Sequence, residues 1–104
     1  MTQAPFHALI YIDRDGAGER RAALRSVHLS YLRDHASDLK AAGPLLDANG
    51  SPCGSLLIFQ TEFPQALEAL ASHDPYVTGG VIETVKVARW SISVWALNSS
   101  PLQG

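Results

Sequence analysis

Residues 47–52, Asp47-Ala48-Asn49-Gly50-Ser51-Pro52, decide the fold of this 104-residue chain. Asn49-Gly50 is a strong local signal for a tight hairpin, because both residue types accept the left-handed backbone that such a turn demands. A hairpin loop needs a strand on each side. Downstream, the second arm is Gly54 to Thr61 (GSLLIFQT). Upstream, the pattern permits two readings. A helix beginning near Gly18 could run to Ala42 and stop at Gly43-Pro44, or it could break near Ala36-Ser37 and free Leu39 to Leu46 as a strand. The hairpin favours the early break.

Further out, Phe6 to Ile12 (FHALIYI) is an apolar run bounded by Pro5 and Asp13-Arg14-Asp15-Gly16, and it reads as a strand. Phe6, Ala8, Ile10 and Ile12 share one face, Leu9 and Tyr11 the other, so the strand is expected to be central in its sheet. Gly16 and Gly18 form a loop, with Asp15 or Glu19 near the positive end of the helix that follows. Phe63-Pro64 opens a second helix with proline in its first turn, and Ala66, Leu67, Leu70 and Ala71 form its buried side. His73-Asp74-Pro75 ends that helix, since a residue before proline avoids helical angles. Asp74 is then placed to cap a short turn from Pro75 to Gly79. Ile82 to Leu97 reads as a long final strand and residues 98–104 as a polar tail.

Two β-α-β units joined by a hairpin make an α+β, ferredoxin-like βαββαβ fold with a four-stranded antiparallel sheet. A single domain is expected over residues 1–104, with its core at about 6–97. Two helices cover only one face of such a sheet. Leu9, Tyr11, Leu57, Phe59, Val85 and Val87 alternate with other apolar residues, so the second face is hydrophobic as well. A homodimer with sheets packed face to face would cover it, and a higher homo-oligomer is also open.

The chain is 46% hydrophobic and 17% charged with a net charge of -2, the composition of a packed globular protein. That balance gives no pull towards nucleic acid or an anionic membrane. Arg20, Arg21 and Arg25 read as the solvated face of a helix. Cys53 is the only cysteine, which excludes an intrachain disulfide and disfavours a thiolate metal site. No apolar run approaches transmembrane length, and the first five residues carry neither part of a signal peptide. The expectation is a soluble, cytoplasmic protein.

The chemistry centres on Arg25 to Leu32 (RSVHLSYL). Leu24, His28, Tyr31, Leu32 and His35 recur at helical spacing, which places an imidazole in a core-facing stripe. Such a ring must find a partner. The best candidate lies in Ser72-His73-Asp74-Pro75-Tyr76. A carboxylate on one nitrogen of His28 would fix the tautomer and raise the basicity of the other, giving a general acid–base unit. Ser55 and the Gly54 backbone could stabilise a developing oxyanion, while Tyr11, Tyr31 and Phe59 could form the walls. The plain alternative is a core histidine satisfied by a backbone carbonyl, beside an aspartate that only caps a turn. His7, His35 and His73 lack close metal-ligand spacing, so no metal is expected. Cys53 reads as an incidental thiol, and Trp90 and Trp95 as packing residues on opposite faces of the last strand. Gly16-Ala17-Gly18 is too short for a phosphate loop.

Four segments in order carry a resemblance: Arg25 to Leu32; Ala42-Gly43-Pro44-Leu45; Gly54-Ser55 before an apolar strand; and Asp74-Pro75-Tyr76-Val77 with Gly80 and a terminal Arg89-Trp90. Together they make the chain resemble the YciI-like (YCII-related) proteins of the dimeric α+β barrel superfamily. The resemblance implies a homodimer, a cleft between sheet and helices, and a His28–Asp74 pair acting on a small molecule, with Gly43, Pro44 and Tyr76 among the substrate contacts. At least one such relative is a metal-free lyase that removes chloride from a chlorinated hydroxyquinol. Muconolactone isomerase and certain monooxygenases share the superfamily. The expected activity is therefore that of a cofactor-free lyase or isomerase. The alternatives are a non-catalytic ligand-binding or regulatory dimer, or a cofactor-free monooxygenase. His73 beside Asp74 departs from the family pattern.

Overall fold

A computed structural model describes residues 3–96. Its elements are β1 (Phe6–Asp13), α1 (Gly18–His35), β2 (Leu39–Leu46), β3 (Pro52–Gln60), α2 (Gln65–Ser72), α3 (Pro75–Thr78) and β4 (Ile82–Trp90). The strands form one antiparallel sheet in the order β2-β3-β1-β4, a ferredoxin-like α+β arrangement with β1 at its centre.

The early helix break is the one adopted. α1 ends at His35, and the Leu39 amide turns back onto the Ala36 carbonyl. Nothing local forbids the helix from continuing; β2 forms because residues 39–46 gain a ladder along β3, interrupted by irregularities at Leu39/Ala41 and Leu45/Leu46. The 47–52 turn supplies the reversal. Gly50 takes a φ of 81°, and the Asp47 carboxylate accepts from the Asn49 and Ser51 amides.

The final strand is shorter than the pattern predicts. β4 ends at Trp90, which faces Phe6, the first residue of β1. β4 is an edge strand with β1 as its one neighbour, so residues past Trp90 have no ladder to join. Trp95 therefore lies beyond the strand and is 55% exposed, and the two tryptophans are not opposed faces of one element. Leu97 and the polar tail lie outside the described residues.

The register sorts the apolar residues of the sheet. Leu9 pairs with Leu57 and His7 with Phe59, so these side chains share the face under the helices, where Leu32, Leu67, Ala71 and Tyr76 complete the core. Ala66 of α2 is exposed, so the buried side of that helix narrows to Leu67 and Ala71. The opposite face carries Ile10, Ile12, Leu56 and Ile58, with the Trp90 ring edge-on to Phe6. It stays open: Ile12 is 44% and Leu56 38% exposed. Among the described residues, no helix is long and apolar enough to cross a membrane.

Candidate active site

The buried residues of α1 are Arg21, His28 and Leu32. A helix whose inward stripe is mostly ionisable must meet partners on the sheet or beyond it. The partner of His28 comes from the other end of the chain. Asp74 is the N-cap of α3, and its Oδ1 accepts from the Tyr76 amide at 2.9 Å. The same carboxylate faces His28 Nδ1, at 2.8 Å from Oδ1 and 3.0 Å from Oδ2, while Oδ2 accepts from the Tyr11 hydroxyl at 2.9 Å. Capping and imidazole binding are thus two uses of one side chain, and Asp74 is completely buried.

This network assigns the tautomer. A carboxylate oxygen accepts, so Nδ1 carries a proton, and in the neutral ring the lone pair is on Nε2. His28 is 5% exposed, and it lines a cavity of about 420 Å³ between α1, the β2–β3 hairpin and Tyr76. That volume falls within the usual range for small-ligand sites. The Tyr76 ring stacks on the imidazole, with centroids 3.9 Å apart and planes 12° from parallel. The Arg21 guanidinium carbon lies 4.7 Å from the same Tyr76 centroid, a cation–π contact.

Arg21 is not on a solvated face. It is 6% exposed, and its Nη2 donates to the Gly54 carbonyl and, at 2.5 Å, to Ser55 Oγ. Its Nε lies 3.2 Å from Asp13 Oδ2 as an ion pair, out of line for a hydrogen bond. The spacing that selects His28 also reaches Arg21, seven residues or about two turns earlier. Only its residue type argued for solvent. Arg25, one turn further on, is exposed but also lines the cavity.

Of the other candidate residues, Ser55, Gly43, Pro44 and Tyr76 line the cavity with His28. Tyr11, Tyr31 and Phe59 do not. Tyr11 lies behind Asp74, Phe59 is buried in the core, and the Tyr31 hydroxyl donates to the Leu70 carbonyl at 2.6 Å. Strand alternation put Tyr11 and Phe59 on the correct face, but His28 and Asp74 stand between Tyr11 and the void. Gly54 turns its carbonyl, an acceptor, towards Arg21. A side chain there would collide with the Tyr11 carbonyl oxygen. His35 is exposed against Tyr31, and His73 lies against the Ala69 carbonyl, so neither joins the pair. Cys53 is exposed. Among the described residues, no three His, Cys, Asp or Glu side chains cluster as metal ligands would.

The electrostatics keep the phenols protonated. Burial, then the charge of Asp74 and its hydrogen bond, push Tyr11 far above its usual value, and burial followed by Asp74 raises Tyr31. Tyr76 is raised by burial, with Arg21 and Arg25 pulling it back. Burial also raises Asp13, against the opposing charge of Arg21. Of the three phenols, the hydroxyls of Tyr11 and Tyr31 are already donated to Asp74 and Leu70. The neutral Tyr76 phenol is the one left to donate within the cavity, beside a His28 ring that can accept a proton.

Comparison with known proteins agrees with this picture of the fold. The profile of the YCII-related domain matches residues 5–91. No curated protein matches the chain in sequence. Among solved structures, the chain is similar to 5-chloro-2-hydroxyhydroquinone dehydrochlorinase (TftG) from Burkholderia phenoliruptrix, solved with 2,5-dihydroxybenzoquinone. The TM-score is 0.74 at 25% identity, covering 83% of this chain and 93% of that one. A protein of Bacteroides thetaiotaomicron, provisionally named an antibiotic biosynthesis monooxygenase, shares the fold at TM-score 0.57 and 9% identity, with 86% and 90% coverage. A hypothetical protein of Arabidopsis thaliana does so at TM-score 0.50 and 19% identity, with 93% and 97% coverage.

Proposed function

Because this chain belongs to the YCII-related domain family, we propose that it is a lyase or isomerase of small molecules, with His28 as the acid–base group and Asp74 as its orienting partner. One observation carries the reading: His28 Nδ1 is held 2.8 Å from a fully buried carboxylate, on a ring that lines a cavity. Nε2 takes a proton from the substrate, and the electron pair of the broken bond moves into the adjacent π system. In an elimination that pair expels a leaving anion; in an isomerisation the imidazolium returns the proton at another atom. Asp74 offsets the charge of the imidazolium while it exists. The likeness to a structure named a dehydrochlorinase supports elimination as the first chemistry to test.

The active unit is a homodimer in this reading, because the open apolar face of the sheet needs a cover and a second copy presents the same surface to it. The protein would then work as a soluble, cytoplasmic enzyme on a freely diffusing substrate.

Turnover of a panel of chlorinated hydroxyquinols and enol lactones, followed by mass spectrometry and chloride release, tests the assignment. A product is expected from at least one member, and His28→Ala should lower its rate by roughly a hundred- to ten-thousandfold. Binding without product across the panel, or an unchanged rate in His28→Ala, rejects the catalytic reading in favour of a ligand-binding dimer.

A further inference from the structure

The cavity has an electrostatic sign that an acid–base pair does not require. Its lining carries two guanidinium groups, Arg21 and Arg25, and no carboxylate. Asp74 lies behind His28, with its oxygens taken up by Tyr11, Tyr76 and the imidazole. Asp13 is applied to the Nε side of Arg21, and Nη2 is engaged by Gly54 and Ser55. Among the described residues, Arg21 Nη1 and the Arg25 guanidinium have no partner.

A second, independent feature points to a ligand. Tyr76 is 2% exposed and lines the cavity, yet its hydroxyl has no hydrogen-bond partner among the described residues. The residue is buried but the hydroxyl oxygen is not sealed off, so a molecule in the cavity can reach it. The stack on His28 and the Arg21 cation–π contact hold the ring in place, so this hydroxyl is a fixed donor with no acceptor of its own. Ser55 Oγ accepts from Arg21, which leaves its own proton available to the same acceptor.

We propose that the cavity takes its substrate as a small planar oxyanion, with the charge held by Arg25, Arg21 Nη1 and the Tyr76 hydroxyl while the exchangeable proton lies under His28. The proposal rests on the acid–base reading for the role of His28, but the anion site stands on its own residues. A carboxylate and the enolate of a hydroxyquinone present the same chemistry to this site: a flat group with charge shared over oxygens. Guanidinium and phenol donors suit both.

Calorimetric titration of the intact protein tests this with three probes: salicylate (a carboxylate), 2,5-dihydroxybenzoquinone (an enolate at neutral pH) and salicylamide, the uncharged counterpart of salicylate. At least one anion should bind at least tenfold more tightly than salicylamide. Arg25→Gln, at an exposed position where folding is not at risk, should weaken that anion roughly tenfold and leave salicylamide unchanged. Tyr76→Phe should weaken it several-fold. Which anion binds identifies the source of the charge. Equal affinity for anion and amide, no binding of either anion at millimolar concentration, or no effect of Arg25→Gln overturns the proposal. His28→Gln separates the two readings: turnover that persists in this variant sinks the catalytic assignment, while retained anion binding leaves the anion site standing. Anion binding lost in His28→Gln but kept in Arg25→Gln overturns the anion site.

Discussion

The Tyr11 hydroxyl and Asp74 Oδ2 are joined by a 2.9 Å hydrogen bond across 63 residues of sequence, tying the central strand to the turn before β4. The bond is completely buried at both ends. It makes the carboxylate that orients His28 part of the core rather than of a surface loop.

Tyr11→Phe should therefore destabilise the protein without emptying any volume. The lost donor leaves a buried carboxylate short of one partner, at a cost of about 1–3 kcal/mol. Chemical denaturation measures this, and a midpoint equal to wild type would show that the bond contributes nothing.

Asp74→Asn separates the two uses of that side chain. An amide caps a helix about as well as a carboxylate, so α3 should persist. It cannot offset an imidazolium, so turnover should fall by roughly a hundredfold or more. Asp74→Ala loses the cap as well and should melt lower than Asp74→Asn. Full activity in Asp74→Asn would reject the orienting role.

High pH should unfold the chain through its tyrosines. Burial and Asp74 raise Tyr11 and Tyr31 above 10.0, and burial raises Tyr76. Below pH 10 folded and unfolded chains both hold these protons; above it the unfolded chain releases them first. Stability should thus be unaffected by these groups below pH 10 and decline as pH rises further, by about 1.4 kcal/mol per pH unit for a phenol that stays protonated when folded. Tyrosinate absorbance should appear together with loss of circular dichroism. Free titration of all three phenols near pH 10 in a folded protein would contradict the burial.

The open face of the sheet predicts assembly. Leu56 stands out from β3 at 38% exposure, and Leu56→Arg would set a charge in the middle of a sheet-to-sheet contact. Sedimentation should give the mass of two chains for wild type and of one for Leu56→Arg, with helix and strand content retained. A wild-type monomer would remove the dimer from the functional reading.

The hairpin, the helix starts and the proline stops were legible in the sequence because each is local. Asn49-Gly50, Phe63-Pro64 and Asp74-Pro75 act through backbone geometry a few residues wide, and apolar alternation in β1 and β3 sets their faces without reference to anything distant. The end of α1 needed one non-local step, since residues 39–46 became a strand through pairing with β3. The end of β4 was missed because it depends on where its partner begins.

Sequence alone determined that His28 would sit in a core-facing stripe and that Asp74 would stand at a helix start. It did not determine the company they keep. That Tyr11 backs Asp74 instead of facing the cavity, that Tyr76 meets both His28 and Arg21, and that Arg21 is buried were decided only when three distant segments packed together. Periodicity reports which way a side chain leaves its own backbone. What it meets there depends on the element packed opposite, and a buried charge is tolerated only where that element brings its partner.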